Sequence, residues 1–388
     1  MSPLRYLTAG ESHGRALVGI IEGVPAGLAL DVPSLHAQLK RRKLGYGRGN
    51  RQTIETDEVE ILTGVRFGET LGSPIALVIA NRDWRSWTEI MAAEPPMRES
   101  RRKVTVPRPG HADYVGGIKY AHDDMRNVLE RSSARETAMR VALGSVARAF
   151  LAAFGISIAS RVVAVGPVSD PRPLDVPIDE LNALLDERPL RVLDLAAQER
   201  MIGEVDAAKA AGDTLGGIFE VYASNVVVGL GSYVQWDRRL EAEIGRQFLS
   251  LNAIKGVEIG GGFTSAVRLG SHVHDEYLPG DERLLYASNN SGGIDGGMTT
   301  GEVLVVRAGM KPISTLMKPL RSVDLTTGEA TSAHIERSDT VAVPAAAVIG
   351  ESLLALVLAQ ALLEKFGGDS MAEIAPRVRE WQQLAVRH

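Results

Sequence analysis

The spacing of apolar and polar positions changes period several times along the chain. Short runs favouring extended structure, bounded by glycine and proline, predict strands at residues 6–9, within 15–24, and at 59–63, 73–80, 156–165, 216–229 and 303–307. Helical spacing predicts a helix opened by Asp31-Val32-Pro33 and running through Leu35, Leu39 and Arg42. Further helices are expected at 178–185, at 196–211 with an interruption at Gly203, and at 237–248, the last carried on through 251–258. The most apolar run, 352–363, lies between Glu351 and Glu364 and is too short to span a bilayer. It reads as part of a buried core helix opened by Pro344 and stopped at Gly367. There is no regular βαβ period, no solenoid repeat and no linker rich in Pro, Gly or Ser. One α+β domain over residues 1–388 is the expectation.

The stretch Arg131-Ser132-Ser133-Ala134-Arg135-Glu136-Thr137 stands out within that pattern. Ser133 followed by Glu136 fits a capping box, so a helix should start at Ala134 and stop before Gly155. Its free N–H groups and dipole favour negative charge, yet arginines crowd that end. An anion between them, phosphate above all, removes the conflict; an ordinary cap with solvated arginines is the alternative. Upstream, Pro107-Arg108-Pro109-Gly110-His111-Ala112-Asp113 fixes a loop that carries Arg108 and His111.

Gly10-Glu11-Ser12-His13-Gly14 turns the backbone sharply and presents three polar side chains. The spacing matches the nucleophile elbow of hydrolases, but an elbow joins a strand to a helix, and here β-rich sequence follows. His13 is therefore a better candidate than Ser12. Gly45-Tyr46-Gly47-Arg48-Gly49-Asn50-Arg51 lacks the Gly-Lys-Ser/Thr of a phosphate-binding loop. It reads either as a solvated basic loop or as a lid bringing Arg48 and Arg51 over an anion. His272 and His274 beside Asp275 lack further clustered ligands and read as a surface pair, so no metal is expected. Five glycines between 289 and 301, including Gly296, allow backbone to approach a flat or charged ligand.

Composition narrows the classes. The 388 residues are 45% hydrophobic and 23% charged, ordinary for a globular protein. A net charge of −5 gives no global attraction to nucleic acid or anionic membrane. The absence of cysteine rules out disulfides, thiolate catalysis and zinc–sulfur sites. The first residues lack a signal-peptide core, which makes the cytoplasm the expected compartment.

The glycine-bracketed Glu11-Ser12-His13, the 131–137 stretch, and Arg337-Ser338-Asp339 with Val343-Pro344-Ala345 resemble the three signature regions of chorismate synthase. The 107–113 loop, Gly296-Gly297-Met298-Thr299 and Lys311-Pro312-Ile313-Ser314-Thr315 resemble that family too, in the right order and over nearly the whole chain. The resemblance implies helices sandwiched between two antiparallel β-sheets, a homotetramer, and a lyase of aromatic amino-acid biosynthesis. The implied reaction is a 1,4-anti elimination of phosphate from 5-enolpyruvylshikimate 3-phosphate, giving chorismate and requiring reduced FMN. NADPH, acting through the chain itself or an external flavin reductase, is the candidate reductant.

By resemblance His13 donates a proton near the leaving phosphate, His111 stabilises or protonates reduced flavin, and Asp339 helps remove a proton from flavin N5. Arg42, Arg48, Arg51, Arg108 and Arg135 are the implied substrate ligands. Arg131, Ser132, Ser133, Asn252, Ala253, Gly296, Lys311, Pro312, Ile313, Ser314, Thr315 and Arg337 are the implied FMN contacts. Ser314 and Asn252 depart from the family's frequent Pro or Ala, which leaves their backbones as the surer contacts. Two other classes stay open: a different flavin enzyme acting on a phosphorylated acid, and a phosphate-backbone binding module. The acidic net charge and an aromatic content of 5% count against the second.

Overall fold

The computed structural model describes residues 4–49, 54–94, 102–280, 284–336 and 338–385. In chain order its main elements are β1 (Arg5–Ala9), β2 (Ala16–Glu22), α1 (Val32–Lys43), β3 (Val59–Thr63), β4 (Ile75–Ala80), α2 (Asp113–Tyr120) and α3 (Thr137–Ala152). Then follow β5 (Ser157–Val165), β6 (Val168–Ser169), α4 (Ile178–Asp186), α5 (Leu195–Ala210), β7 (Gly217–Ser224) and α6 (Leu240–Leu249). The last are β8 (Ile254–Ile259), β9 (Leu304–Met310), α7 (Val343–Phe366) and α8 (Met371–Ala385).

The content is mixed, with two larger antiparallel sheets and several two-stranded ones. One sheet has the order β1-β2-β4-β3, the other β8-β9-β7-β5-β6. In β4 the side chains of Ile75, Leu77 and Ile79 are fully buried and their neighbours less so, the two-residue period of a strand with one covered face. Helix α3 packs on β2 and β4, α7 packs on β5 and β7, and the two helices pack on each other.

Helices α3 and α7 approach closely because their contact is made of small residues. A β-carbon on Gly144 of α3 would lie 2.4 Å from the Ser352 β-carbon of α7. Gly350 presses against Phe219 and Val221 of β7 in the same way, each 2.9 Å from where its β-carbon would be. This enclosure explains the sequence of α7, which is apolar on all sides instead of along one stripe. Among the described residues it is the one helix long and apolar enough to cross a membrane, and 94% of its most apolar window is buried inside the protein.

The exception on α7 is Glu351. Its carboxylate accepts from Arg41 (2.7 and 2.9 Å), Arg148 (2.7 Å), Ser160 (2.6 Å) and Asn182 (3.2 Å), with Arg191 at 3.4 Å. It therefore ties α7 to α1, α3, α4 and β5. Burial pushes the carboxyl up, but Arg41 and Arg148 outweigh it and hold it far below the usual carboxylate range.

Several boundaries differ from the expectation. The segment 251–258 does not continue α6: Ala253 adopts φ of 67°, which ends the turn, and strand β8 follows. Gly203 does not interrupt α5, which runs unbroken through it from Leu195 to Ala210. The helix expected from Ala134 begins with a 3₁₀ turn, Ala134–Glu136, before α3 proper. The box is not reciprocal: Ser133 Oγ accepts from Arg135 N at 3.3 Å, whereas the Glu136 carboxylate is engaged by Thr8 and Arg140.

Replacing Glu351 with Gln should leave three arginines without their buried counter-charge. Urea denaturation at neutral pH is expected to show a loss of about 3–5 kcal/mol. Because the folded carboxyl is depressed, its contribution is present above the unfolded value of about 4.3 and fades as pH falls below it. The difference between wild type and Glu351→Gln should therefore shrink in acid; equal stability at neutral pH would reject the role.

Candidate active site

The sequence segments singled out for chemistry meet at a cavity of ≈ 640 Å³, within the range of small-molecule sites. Each is delivered by the end of a regular element. The β1–β2 turn brings His13, the C-terminus of α1 brings Arg42, and the loop before α2 brings Arg108 and His111. The turn before α3 brings Ser132, Ser133 and Arg135; the β8 entry brings Asn252 and Ala253; the segment after β9 brings Lys311, Ile313, Ser314 and Thr315. Arg48 and Asp339 complete the wall.

The arginines are aimed by carboxylates that carry no obvious sequence signal. Asp57 receives Arg42 Nη2 at 2.7 Å on one oxygen and Arg135 Nη1 on the other. Its backbone has φ of 55°, a left-handed conformation that Asp tolerates better than most residues. Burial pushes the Asp57 carboxyl up, but Arg42 and Arg135 prevail and hold it below the usual carboxylate range. Arg135 also donates to Asn81 Oδ1 at 3.0 Å. Burial pulls Arg42 and Arg48 down from the ordinary guanidinium value, opposed by Asp57 and Asp339; both remain cationic, since a guanidinium is not deprotonated in proteins.

A second carboxylate, Asp113 at the start of α2, organises the other wall. It accepts from Arg108 Nε at 2.8 Å and Nη2 at 3.1 Å, and lies 2.5 Å from His111 Nδ1. Burial raises this carboxyl, whereas the hydrogen bonds from His111 and Arg108 pull it far below its usual range. Arg108 also reaches Thr315 Oγ1 at 3.0 Å, joining this wall to the segment after β9. Lys311 donates to Gly110 O at 3.1 Å, and burial, with Lys255 nearby, lowers its ammonium below the ordinary lysine value.

Asp339 is paired with Arg48 at 2.8 Å and accepts from Gly49 N at 2.6 Å. The basic loop after α1 is thus anchored where it is described, helped by Thr340 N donating to Gly47 O and Tyr46 OH donating to Asp206. Arg51 and Arg337 lie outside the described residues. His13 stacks on Trp87 with ring centroids 4.0 Å apart, and its Nδ1 lies 2.9 Å from both oxygens of the buried Glu130. Ser12 sits on a hairpin turn between two strands, not on a strand-to-helix elbow.

Three of the named residues do not line the cavity. Arg131 turns outward to bond Thr8 and Gly10 carbonyls. Gly296 sits in the turn of a small hairpin of Ile294–Asp295 with Met298–Thr299, and Pro312 is absent from the lining between Lys311 and Ile313. Asp57, Asp113 and Glu130 were not anticipated. His272 and His274 are not part of the site; Asp275 between them and the glycine loop accepts from Ser288 Oγ and from the backbone of Asn290 and Ser291.

The comparisons with known proteins point to one family. The family model described as Chorismate synthase matches residues 4–363. A chorismate synthase of Chlorobaculum tepidum is 53% identical over 387 residues, covering 98% of each chain. Chorismate synthase 1 of Bacillus cereus is 54% identical over 387 residues, covering 98% of this chain and 99% of its own. A solved structure titled Crystal Structure of Chorismate Synthase superposes with a TM-score of 0.80 at 42% identity, covering 99% of both chains.

Asp57→Asn removes the charge shared by Arg42 and Arg135. Thermal and urea unfolding should show a loss of about 3–5 kcal/mol, the cost of leaving buried charges uncompensated. Millimolar phosphate should recover part of it by taking the carboxylate's place. Unchanged stability without phosphate would contradict the assignment of Asp57 as their common anchor.

Proposed function

The chain belongs to the chorismate synthase family, and from that premise we propose how its own side chains carry the reaction. That reaction is the 1,4-anti elimination of phosphate from 5-enolpyruvylshikimate 3-phosphate to chorismate, and the protein is a carbon–oxygen lyase of aromatic amino-acid biosynthesis. The observation that carries the residue assignment is the meeting of four arginines, two histidines and Asp339 in one cavity from segments up to about three hundred positions apart.

The donor set suits two anionic molecules. Arg42, Arg48, Arg108 and Arg135 hold substrate phosphate and carboxylates, each guanidinium oriented beforehand by its acidic partner. Ser132, Ser133, Asn252, Ala253, Lys311, Ile313, Ser314 and Thr315 hold FMN; Arg131, Gly296 and Pro312, which the resemblance also implied, stand outside the cavity lining, and Arg337 keeps only its implied role. The side-chain hydroxyls and the Lys311 cation match a flavin phosphate in chemistry. Reduced FMN, when bound, supplies the electron density on which loss of phosphate draws and takes up the substrate hydrogen.

His13 donates a proton to the departing phosphate, whose developing charge the arginines stabilise. His111, fixed by Asp113, would stabilise or protonate the reduced flavin. Asp339, ion-paired with Arg48, would take a proton from the bound flavin. Arg51 belongs to the substrate set in the same reading.

The whole chain, 1–388, acts as one unit in which the α3–α7 pair fills the space between the two larger sheets. Four copies assemble; Leu7 of β1 and its cross-strand partner Ile20 of β2 are exposed on the sheet face away from α3, as an interface needs. The compartment is the cytoplasm, and NADPH feeds the flavin through the chain or an external reductase.

An anaerobic assay with the phosphorylated enolpyruvyl substrate and photoreduced FMN tests the reading. Chorismate and phosphate should form together, and only after FMN is reduced; phosphate release with oxidised FMN would overturn the cofactor assignment. Asp339→Asn should bind FMN and substrate nearly normally and turn over about 10²- to 10⁴-fold more slowly, the usual worth of a general base. Near-normal turnover in that variant would remove Asp339 from the chemistry and leave the family reaction untouched.

A further inference from the structure

His13 is held by one residue through its backbone, its ring and its neighbour. Ser12 N donates to Glu130 O at 2.9 Å, and His13 N donates to Glu130 Oε2 at 2.8 Å. The ring Nδ1 lies 2.9 Å from both Glu130 oxygens. The Glu130 side chain has no solvent exposure and is itself fixed by Arg126 Nη1 at 3.0 Å. Trp87 stacks on the imidazole with the ring planes inclined by 29°, and the Arg126 and Arg102 guanidiniums lie over the indole at 5.0 and 4.3 Å. Glu130 immediately precedes the 131–133 turn, so the same residue ties the His13 hairpin to that turn.

An ionised carboxylate only accepts hydrogen bonds, so the nitrogen facing Glu130 must carry a hydrogen. Burial raises the Glu130 carboxyl, but its bonds from His13 prevail and keep it ionised. The neutral ring then has its hydrogen on Nδ1 and a lone pair on Nε2; the protonated ring carries its transferable proton on Nε2. The group facing Nε2 is Asp83, at 3.7 Å from Oδ2, beyond hydrogen-bond range, so among the described residues no hydrogen bond claims that proton.

We propose that Glu130 is a positioning residue of the reaction: it fixes the tautomer and orientation of His13 so that Nε2 delivers a proton to the leaving phosphate, with Trp87 as the wall that keeps the ring from turning. The proposal rests on His13 as donor. The balance is simple: Nε2–H breaks, a phosphate O–H forms, and the imidazole left behind keeps its Nδ1 hydrogen on Glu130. The charged groups around the ring are Glu130 with Arg126 behind it on one side, Asp83 on the other, and Arg102 across Trp87.

The test uses full-length wild type, Glu130→Gln and Glu130→Asp. With ¹⁵N-labelled histidine, wild-type His13 in its neutral form should show the hydrogen on Nδ1. In Glu130→Gln, whose amide can donate to the ring, the hydrogen should move to Nε2. Glu130→Gln should bind FMN and substrate within about threefold of wild type, while kcat falls about 10²- to 10⁴-fold, the range known for wrong-tautomer variants and acid–base losses. Glu130→Asp should recover part of kcat. A wild-type His13 neutral with its hydrogen on Nε2, or a Glu130→Gln enzyme with normal kcat, would overturn the proposal. His13→Ala separates the two readings: normal turnover in that variant removes His13 as donor, while the ¹⁵N pattern still reports whether Glu130 sets the ring.

Discussion

A carboxylate sealed inside an apolar helix is among the costliest groups a fold can contain, and Glu351 is tolerated only because three arginines and two neutral donors converge on it. That requirement constrains much of the architecture. Arg41 reaches it from α1, Arg148 from α3, Ser160 from β5 and Asn182 from α4, so these elements must arrive at one point with little freedom in angle. The next residue on α1, Arg42, is turned toward Asp57 and the cavity. One helix end therefore serves the core with one guanidinium and the site with its neighbour.

The cavity follows the same electrostatic logic with one difference. Its arginines are paired from behind and keep part of their surface toward open space. Asp57 serves two of them, Asp113 serves Arg108 together with His111, and Asp339 serves Arg48. Such pairs reduce the repulsion among cations gathered in one place and remove rotamer freedom before a ligand arrives. The histidines are treated alike: each has one ring nitrogen committed to a buried carboxylate, Glu130 or Asp113.

Much of the fold was legible because its signals are local. Strands with a two-residue period, the proline near the start of α1 and the glycine after α7 needed only neighbouring residues. The failures have local causes as well. Ile254-Lys255-Gly256-Val257-Glu258-Ile259 follows an amphipathic helix closely, and only four residues, 250–253, ending in the left-handed Ala253, separate the two. Gly203 was over-read because glycine on an exposed helical face costs only about 1 kcal/mol. The cationic half of the site was visible through arginines in rigid loops and through family resemblance. The acidic half was not: Asp57 lies 78 positions from Arg135, and Glu130 lies 117 from His13. A single acid in a turn carries no mark of the partner it will meet.

The contact of Gly144 with Ser352 has a mechanical meaning. Both helices reach the cavity with their N-terminal parts: α3 through Thr137 and the turn before it, α7 through Ala345, Ala346 and Ile349. The contact lies about two turns further along α3 and about one turn beyond the last wall residue of α7. It acts as a fulcrum, and the helices are two arms whose tips are opposite banks of the same basin. With no side chain at Gly144 the fulcrum is as thin as peptide backbone allows. The width of the basin is thus set at a dry, chemically silent point, by the absence of a methyl group, rather than by any residue that a ligand touches.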